Sequence, residues 1–491
     1  MKKSHATLLI WLFTALAAAV NAPLHAQQET GMLPEMGDSS STLLSQEDEL
    51  RIGREMLHSL EKNGAIIQDP IVAEYIESVG HSLSSAAITD RNHFHFFTVN
   101  ASSINAFAMP GGFIGVHAGL ILASESESEL AAVVAHEIAH VTQHHIARGV
   151  EQANQMNLPM TAAVIAALLL GGGDPQVANA ALAATMGGAQ QMQIDFTRAN
   201  EKEADRVGMQ LLASSDFDPR GMSGFFAKLQ SESRYYGDGV PEFLRTHPVT
   251  TSRIAEAEDR ARQYPLRLSD NSIQYLLVKA RLRLMLAKSL DTLSSELEAE
   301  APTDANEREA HRYLQALVQK KNGNVAAARE RLTALLEQNP GRIAYIHELG
   351  QLESSEGEHQ RASELYLEGL EQYPGNALLT RAYCKTLITD GKHDKARKSL
   401  ETLLRNRPND SEAYRLLARL EAESGNLAAS YLAQAEYYFL KGEPHSAIDQ
   451  LNQAKRLSPL PDYFAARIEA RLKQLKEELA RHQKGKRNNE G

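Results

Sequence analysis

Cysteine occurs once in the 491 residues, at Cys384. No internal disulfide can form, so the fold has no covalent staples, and the lone thiol reads as a small packing residue. An excess of positive charge is missing as well: 51 Lys and Arg stand against 62 Asp and Glu, a formal charge of -11. Phosphate binding depends on a positive surface that releases counterions, which argues against nucleic acid as a partner. Long apolar runs are scarce. The run Leu8–Val20 covers 13 residues, short of the roughly 20 that a membrane helix needs. What remains, 43% hydrophobic and 23% charged, is ordinary globular composition, and the length demands two or three folded units.

The chain opens as an export signal does. Lys2 and Lys3 precede the apolar run, and Ala26 ends a small-residue cleavage site before Gln27. Cleavage is the expectation, with an uncleaved anchor as the alternative; no Cys stands at the cut, so lipidation is not expected. Losing residues 1–26 removes two lysines and no acid, which takes the charge from -11 to -13. Residues 27–45, with Gly31, Pro34, Gly37 and Ser39 to Ser41, lack periodicity and read as a linker.

From 46 to 268 helices and short strands mix, the pattern of an α+β domain. Ser45 and Asp48 form a capping signal ahead of Ile52, Met56 and Leu60, and a second helix is predicted from Ile71 to Leu83. Phe94 and Phe96 alternate with polar neighbours as a strand does. Asn105–Met109 and Phe113–Leu120 read as two more strands, joined through Pro110, Gly111 and Gly112.

Beyond about residue 270 the pattern is helix upon helix. Pro340, Pro374 and Pro408 recur every 34 residues, and Gly323, Gly357 and Gly391, Ala328, Ala362 and Ala396, and Leu332, Tyr366 and Leu400 keep the same interval. That is the period of a tetratricopeptide repeat, so an all-α solenoid is expected over 273–472. Gly425 keeps the spacing; Gly442, Ala447, Leu451 and Pro459 then follow displaced by half a repeat, which one extra helix explains. Residues 473–491 read as a basic, solvated helix end running into a disordered tail.

The chemistry is concentrated in His136-Glu137-Ile138-Ala139-His140, an H-E-x-x-H motif. Leu130, Val133, Val134, Ile138 and Val141 continue a helix that Ser126 and Glu129 cap. Positions i and i+4 share a helix face, so both imidazoles can meet one zinc ion, and Glu137 can take a proton from an attacking water. His144 and His145 read as helix-end residues. A third ligand is sought in the helical segment 200–208: Glu201 as ligand, Asp205 on the same face as the acceptor from a ligand histidine, and Glu203 as a solvated charge. Ala204 and Gly208 let that face approach Ala135 and Ala139. His247, before Pro248, should lie outside a helix. It is either a latch on the metal, an oxyanion donor, or a packing residue; Arg253 is expected to make a structural ion pair.

Asn105-Ala106-Phe107-Ala108, Pro110-Gly111-Gly112, the H-E-x-x-H helix, Glu201 to Asp205, Thr246-His247-Pro248 and Arg253-Ile254 together resemble the M48 family of zinc peptidases. The resemblance implies one zinc ion per chain on His136, His140 and Glu201, Glu137 as catalytic base, Asp205 as a supporting acid, and a strand at Phe113–His117 that pairs with extended substrate. With the export signal and the repeats, it also implies a periplasmic endopeptidase with chaperone-like activity, acting on unfolded or misassembled outer-membrane β-barrel proteins and contacting the barrel assembly machinery through its repeats. The alternative is a repeat-based adaptor or chaperone whose peptidase centre is largely latent; a metallo-aminopeptidase is a weaker third reading. Apolar residues 158–188 read as a mobile flap near the cleft, with peripheral membrane contact as the alternative.

Overall fold

The computed structural model describes residues 45–85, 94–149, 151–152, 197–235, 241–267, 270–457 and 459–489. The export signal, all but the last residue of the linker and the apolar segment 158–188 lie outside the described residues. Among the described residues no helix is long and apolar enough to cross a membrane.

Helix α1, Gln46–Lys62, starts where the Ser45 side chain accepts from the Asp48 amide. Helix α2, Pro70–Ser84, starts at Asp69, whose carboxylate accepts from the amides of Ile71 and Val72. Each cap satisfies amides that lack intrahelical partners. Three strands follow: β1 at His95–Val99, β2 at Ala106–Met109 and β3 at Phe113–His117. Their order is β1-β3-β2, with β3 parallel to β1 and antiparallel to β2.

This order overturns the expectation that Phe113–His117 pairs with substrate. β3 is the central strand, buried throughout, and β1 and β2 take its backbone groups on both sides. The outer side of β1 is partly covered, because Ile67 donates to Thr98 and Asn100 donates to Ala65. Among the described residues β2 is left with the open edge. β3 is also shorter than expected: after His117 the chain turns into helix α3, Ala118–Ala123, since the Gly119 amide bonds back to Ala101 and the Ser102 carbonyl fills the space a Cβ at Gly119 would need.

Helix α4, Glu127–Thr142, is capped by Ser126 and carries an unbroken buried run from Leu130 to Ala139. Around it pack α5 over 197–214, α6 at Arg220–Tyr235, α7 at Glu242–Thr246 and α8 at Thr251–Ala261. Leu130, Val134, Leu212, Phe225 and Phe243 are fully buried there; each such side chain contributes about 1.5–3 kcal/mol relative to exposure. The α5–α4 contact depends on Gly208, where a Cβ would lie 3.1 Å from the His136 nitrogen and 3.2 Å from the Ala135 carbonyl.

Helix α9, Ile273–Leu286, faces two ways: Tyr275, Val278 and Leu282 enter the core of the preceding unit, while Ile273, Leu277 and Ala280 enter the first core of the repeats. Paired helices follow from Ala305–Lys321 and Val325–Gln338 to Ser411–Glu423 and Leu427–Leu440. In each interhelix turn a glycine takes a left-handed φ, from +71° at Gly391 to +88° at Gly357, a region costly for other residues. Ala328, Ala362 and Ala396 are fully buried at the helix contacts. Leu427–Leu440 follows the Gly425 turn as the second helix of one pair and precedes the Gly442 turn as the first of the next, which is the displaced half repeat. The last helix, Asp462–Asn489, runs on through most of the tail expected to be disordered; its alternating charges, with Lys473 and Glu477 one turn apart, suit a solvated helix.

The repeats are bonded to the first unit along their length. Arg281 on α9 donates to Asp69, to Tyr313 and, at 2.6 Å, to Glu348, all four side chains being buried. Lys320 holds the other oxygen of Glu348 at 2.7 Å. Asn376 donates to Glu74, and Lys441 pairs with Glu61 at 3.0 Å. Ile71 packs against the core of the first unit and against two cores of the repeats.

Candidate metal centre

Helical spacing puts His136 and His140 one turn apart on α4, with their Nε2 atoms 3.0 Å from each other. Helix α5, brought close by Gly208, sets Glu201 beside them: Oε2 is 3.4 Å from His136 Nε2 and Oε1 is 3.5 Å from His140 Nε2. His247 arrives from the end of α7, in a non-helical conformation of φ -123° and ψ 80°. Its Nδ1 is 2.9 Å from Glu201 Oε1, and its ring stacks on Phe243 at 4.7 Å between centroids. Ligand atoms of His136, His140, Glu201 and His247 all lie within 4.8 Å of one another. Glu137 points into the same space, with Oε1 3.6 Å from His247 Nε2.

Asp205 stands one helical turn beyond Glu201 and behind His136. His136 Nδ1 faces Asp205 Oδ1 at 3.1 Å, an ion-pair contact, and its Nε2 faces the cluster. Arg253 on α8 donates to both Asp205 oxygens at 2.7 Å, to the Pro248 carbonyl at 2.8 Å, and pairs with Glu201 at 2.9 Å. The ion pair expected of Arg253 is therefore with both acids at once.

Two residues make contacts that the sequence does not reveal. His145 is buried, with Nδ1 2.9 Å from His140 Nδ1. Glu203 is not a free solvated charge: its Oε2 lies 3.2 Å from His145 Nε2 and accepts from Arg148 at 2.9 Å. The helical pattern could not reveal the first contact, because α4 ends at Thr142, between His140 and His145, and the chain then turns through His144, a non-glycine residue with φ +52°. Four histidines within ten residues were the available signal.

The donor set fits a divalent cation. Three buried acids, Glu137, Glu201 and Asp205, crowd the centre, and the one buried guanidinium, Arg253, pairs with only Glu201 and Asp205, so a cation among the ligand atoms would supply the missing positive charge. Glu137 Oε1 is buried without a hydrogen-bond partner. Without a cation, burial lowers the pKa of His136, but its bonds to Asp205 and Glu201 outweigh that and hold it up to about 10. Burial, then the neighbouring His136, push His140 well below its usual range. Burial raises Glu201, yet His136 and His247 more than reverse it, and the acid is held far below the carboxylate range.

Comparison with known proteins agrees with this geometry. The pattern of Peptidase family M48 matches residues 70–261, and tetratricopeptide-repeat patterns match 313–377 and 354–420. The chain is 35% identical over 477 residues to the beta-barrel assembly-enhancing protease of Escherichia coli strain K12, covering 96% of each chain. It is 33% identical to the protein of that name from Yersinia pestis, covering 93% of this chain and 96% of that one. A mitochondrial metalloendopeptidase, OMA1 of Arabidopsis thaliana, is 34% identical over 155 residues, 32% of this chain and 29% of that one.

Proposed function

The chain belongs to peptidase family M48, among the beta-barrel assembly-enhancing proteases, and from that membership we propose that it is a periplasmic zinc endopeptidase that cleaves misassembled outer-membrane β-barrel proteins and assists the assembly of others. One observation carries the reading: two histidines of α4 and a glutamate of α5 converge with Glu137 at their side.

In this reading His136, His140 and Glu201 would hold the ion, and His247 lies beside them. Zinc, when bound, supplies Lewis acidity toward a peptide carbonyl and an attacking water. Glu137, buried and with one oxygen unpartnered, receives the proton from that water and can return it to the leaving amine. Asp205 fixes the tautomer of His136, and Arg253 fixes Asp205. The open edge of β2 offers backbone groups to an extended substrate of any sequence, which suits unfolded clients. The repeats supply protein-binding surface, with the barrel assembly machinery as the partner proposed.

The test is cleavage of a purified, unfolded outer-membrane barrel protein. Wild type should cleave it, whereas Glu137→Gln should bind zinc and leave the substrate intact. Equal rescue of a deletion strain by both forms would instead favour an adaptor whose peptidase centre is largely latent.

A further inference from the structure

We propose that His145 and Glu203 form a positioning relay for the ligand His140, matching on one side of the centre what Asp205 and Arg253 do for His136 on the other; the inference rests on the ligand set proposed above. His140 turns Nε2 into the cluster that would hold the ion, where the lone pair of that nitrogen is needed, so its ring proton sits on Nδ1. That N–H points at His145 Nδ1, 2.9 Å away, which must then be the acceptor. An imidazole that accepts at Nδ1 carries its proton on Nε2, and His145 Nε2 is 3.2 Å from Glu203 Oε2. One tautomer assignment satisfies every link from ligand to carboxylate. Arg148, 2.9 Å from the same oxygen, anchors the end of the relay as Arg253 anchors Asp205.

The backbone is arranged to make this contact. α4 ends at Thr142, and His144 adopts φ +52° before helical structure resumes at residue 145. A left-handed conformation is costly for a non-glycine residue and persists where surrounding contacts demand it. The reversal folds His145 back over the preceding turn, where it is buried against the His140 ring at 4.8 Å between centroids.

The test is the zinc dissociation constant of the full chain, measured by competition with a chelator of known affinity, for wild type, His140→Ala, His145→Leu, His145→Asn and Glu203→Gln. Loss of an outer partner of a metal-bound histidine weakens binding by about 10- to 100-fold, and His145→Leu should fall in that range. His145→Asn, whose amide oxygen stands where Nδ1 stood, should recover most of the loss, and Glu203→Gln should show a smaller loss of the same sign. A purely structural role would lower the melting temperature of the zinc-free protein and leave the affinity of folded protein unchanged. The relay is overturned if His145→Leu binds zinc within about twofold of wild type, or if Leu and Asn lose equally, while His140→Ala loses binding. Unchanged binding by His140→Ala would instead remove the ligand set itself. If His145→Leu fails to fold, the Asn and Gln variants carry the comparison.

Discussion

His247 is the residue on which the latch, oxyanion and packing readings divide. Its imidazole lies 2.9 Å from Glu201 and 3.4 Å from His136 Nε2, among the atoms proposed to hold the ion, and as a latch it would bar a substrate carbonyl from that ion. His247→Ala should therefore raise proteolysis of an unfolded barrel protein; a fall would assign His247 to transition-state stabilisation, and no change would leave it a packing residue. Lys279 allows a test of pH dependence away from this centre. Its ammonium donates to the Ser124 carbonyl at 2.5 Å, and burial, helped by Lys228, pushes its pKa down from 10.5 to about 8. Below pH 8 it is charged in both states and the fold bears its desolvation. Between pH 8 and 10.5 the unfolded chain binds more protons, so this group's contribution to stability rises with pH. Urea unfolding of wild type against Lys279→Met should show the difference moving in favour of wild type across that interval. At this scale the H-E-x-x-H pair was legible because helical spacing is local. The His145–Glu203 contact was not, because its members are 58 positions apart with a left-handed turn beside the first, outside any periodic pattern.

Among the elements, the contact of α4 with α5 sets the distance from His136 to Glu201. Replacing Gly208 by Ala gains roughly 0.5–1 kcal/mol of helix propensity, but a Cβ 3.1 Å from the His136 nitrogen overpacks the interface at roughly 1–3 kcal/mol. Overpacking wins, and a net loss of about 1 kcal/mol is expected in urea unfolding of the zinc-free protein. Zinc affinity should fall as well, since the displaced helix carries Glu201. The helices were legible from their caps: Ser45, Ser126 and the apolar faces behind them are local signals. Strand order was not, because the alternation in Phe113–His117 is the same for a central strand as for an edge, and only pairing with β1 and β2 distinguishes them.

In the molecule as a whole, the 34-residue interval made the solenoid legible while its seat on the peptidase stayed hidden. Asp69 and Arg281 are 212 positions apart, and each looks like an ordinary surface charge in its own stretch of sequence. Together they form a buried cluster with Glu348. Arg281→Met would leave Asp69 buried with only its two cap amides and Glu348 with only the Lys320 hydrogen bond, and breaking a buried pair this way costs about 3–5 kcal/mol. Its unfolding transition should separate into two steps where wild type gives one, as read by circular dichroism against urea. A repeat array normally touches only its own neighbours, so it frays from either end and stretches as a spring does. Fastened at Asp69, Glu74 and Glu61 in turn, this one is closer to a splinted rod: pulling on its far end strains α1 and α2, and because α2 shares a core with α4, a client tugging on the repeats would be felt by the helix that carries His136 and His140.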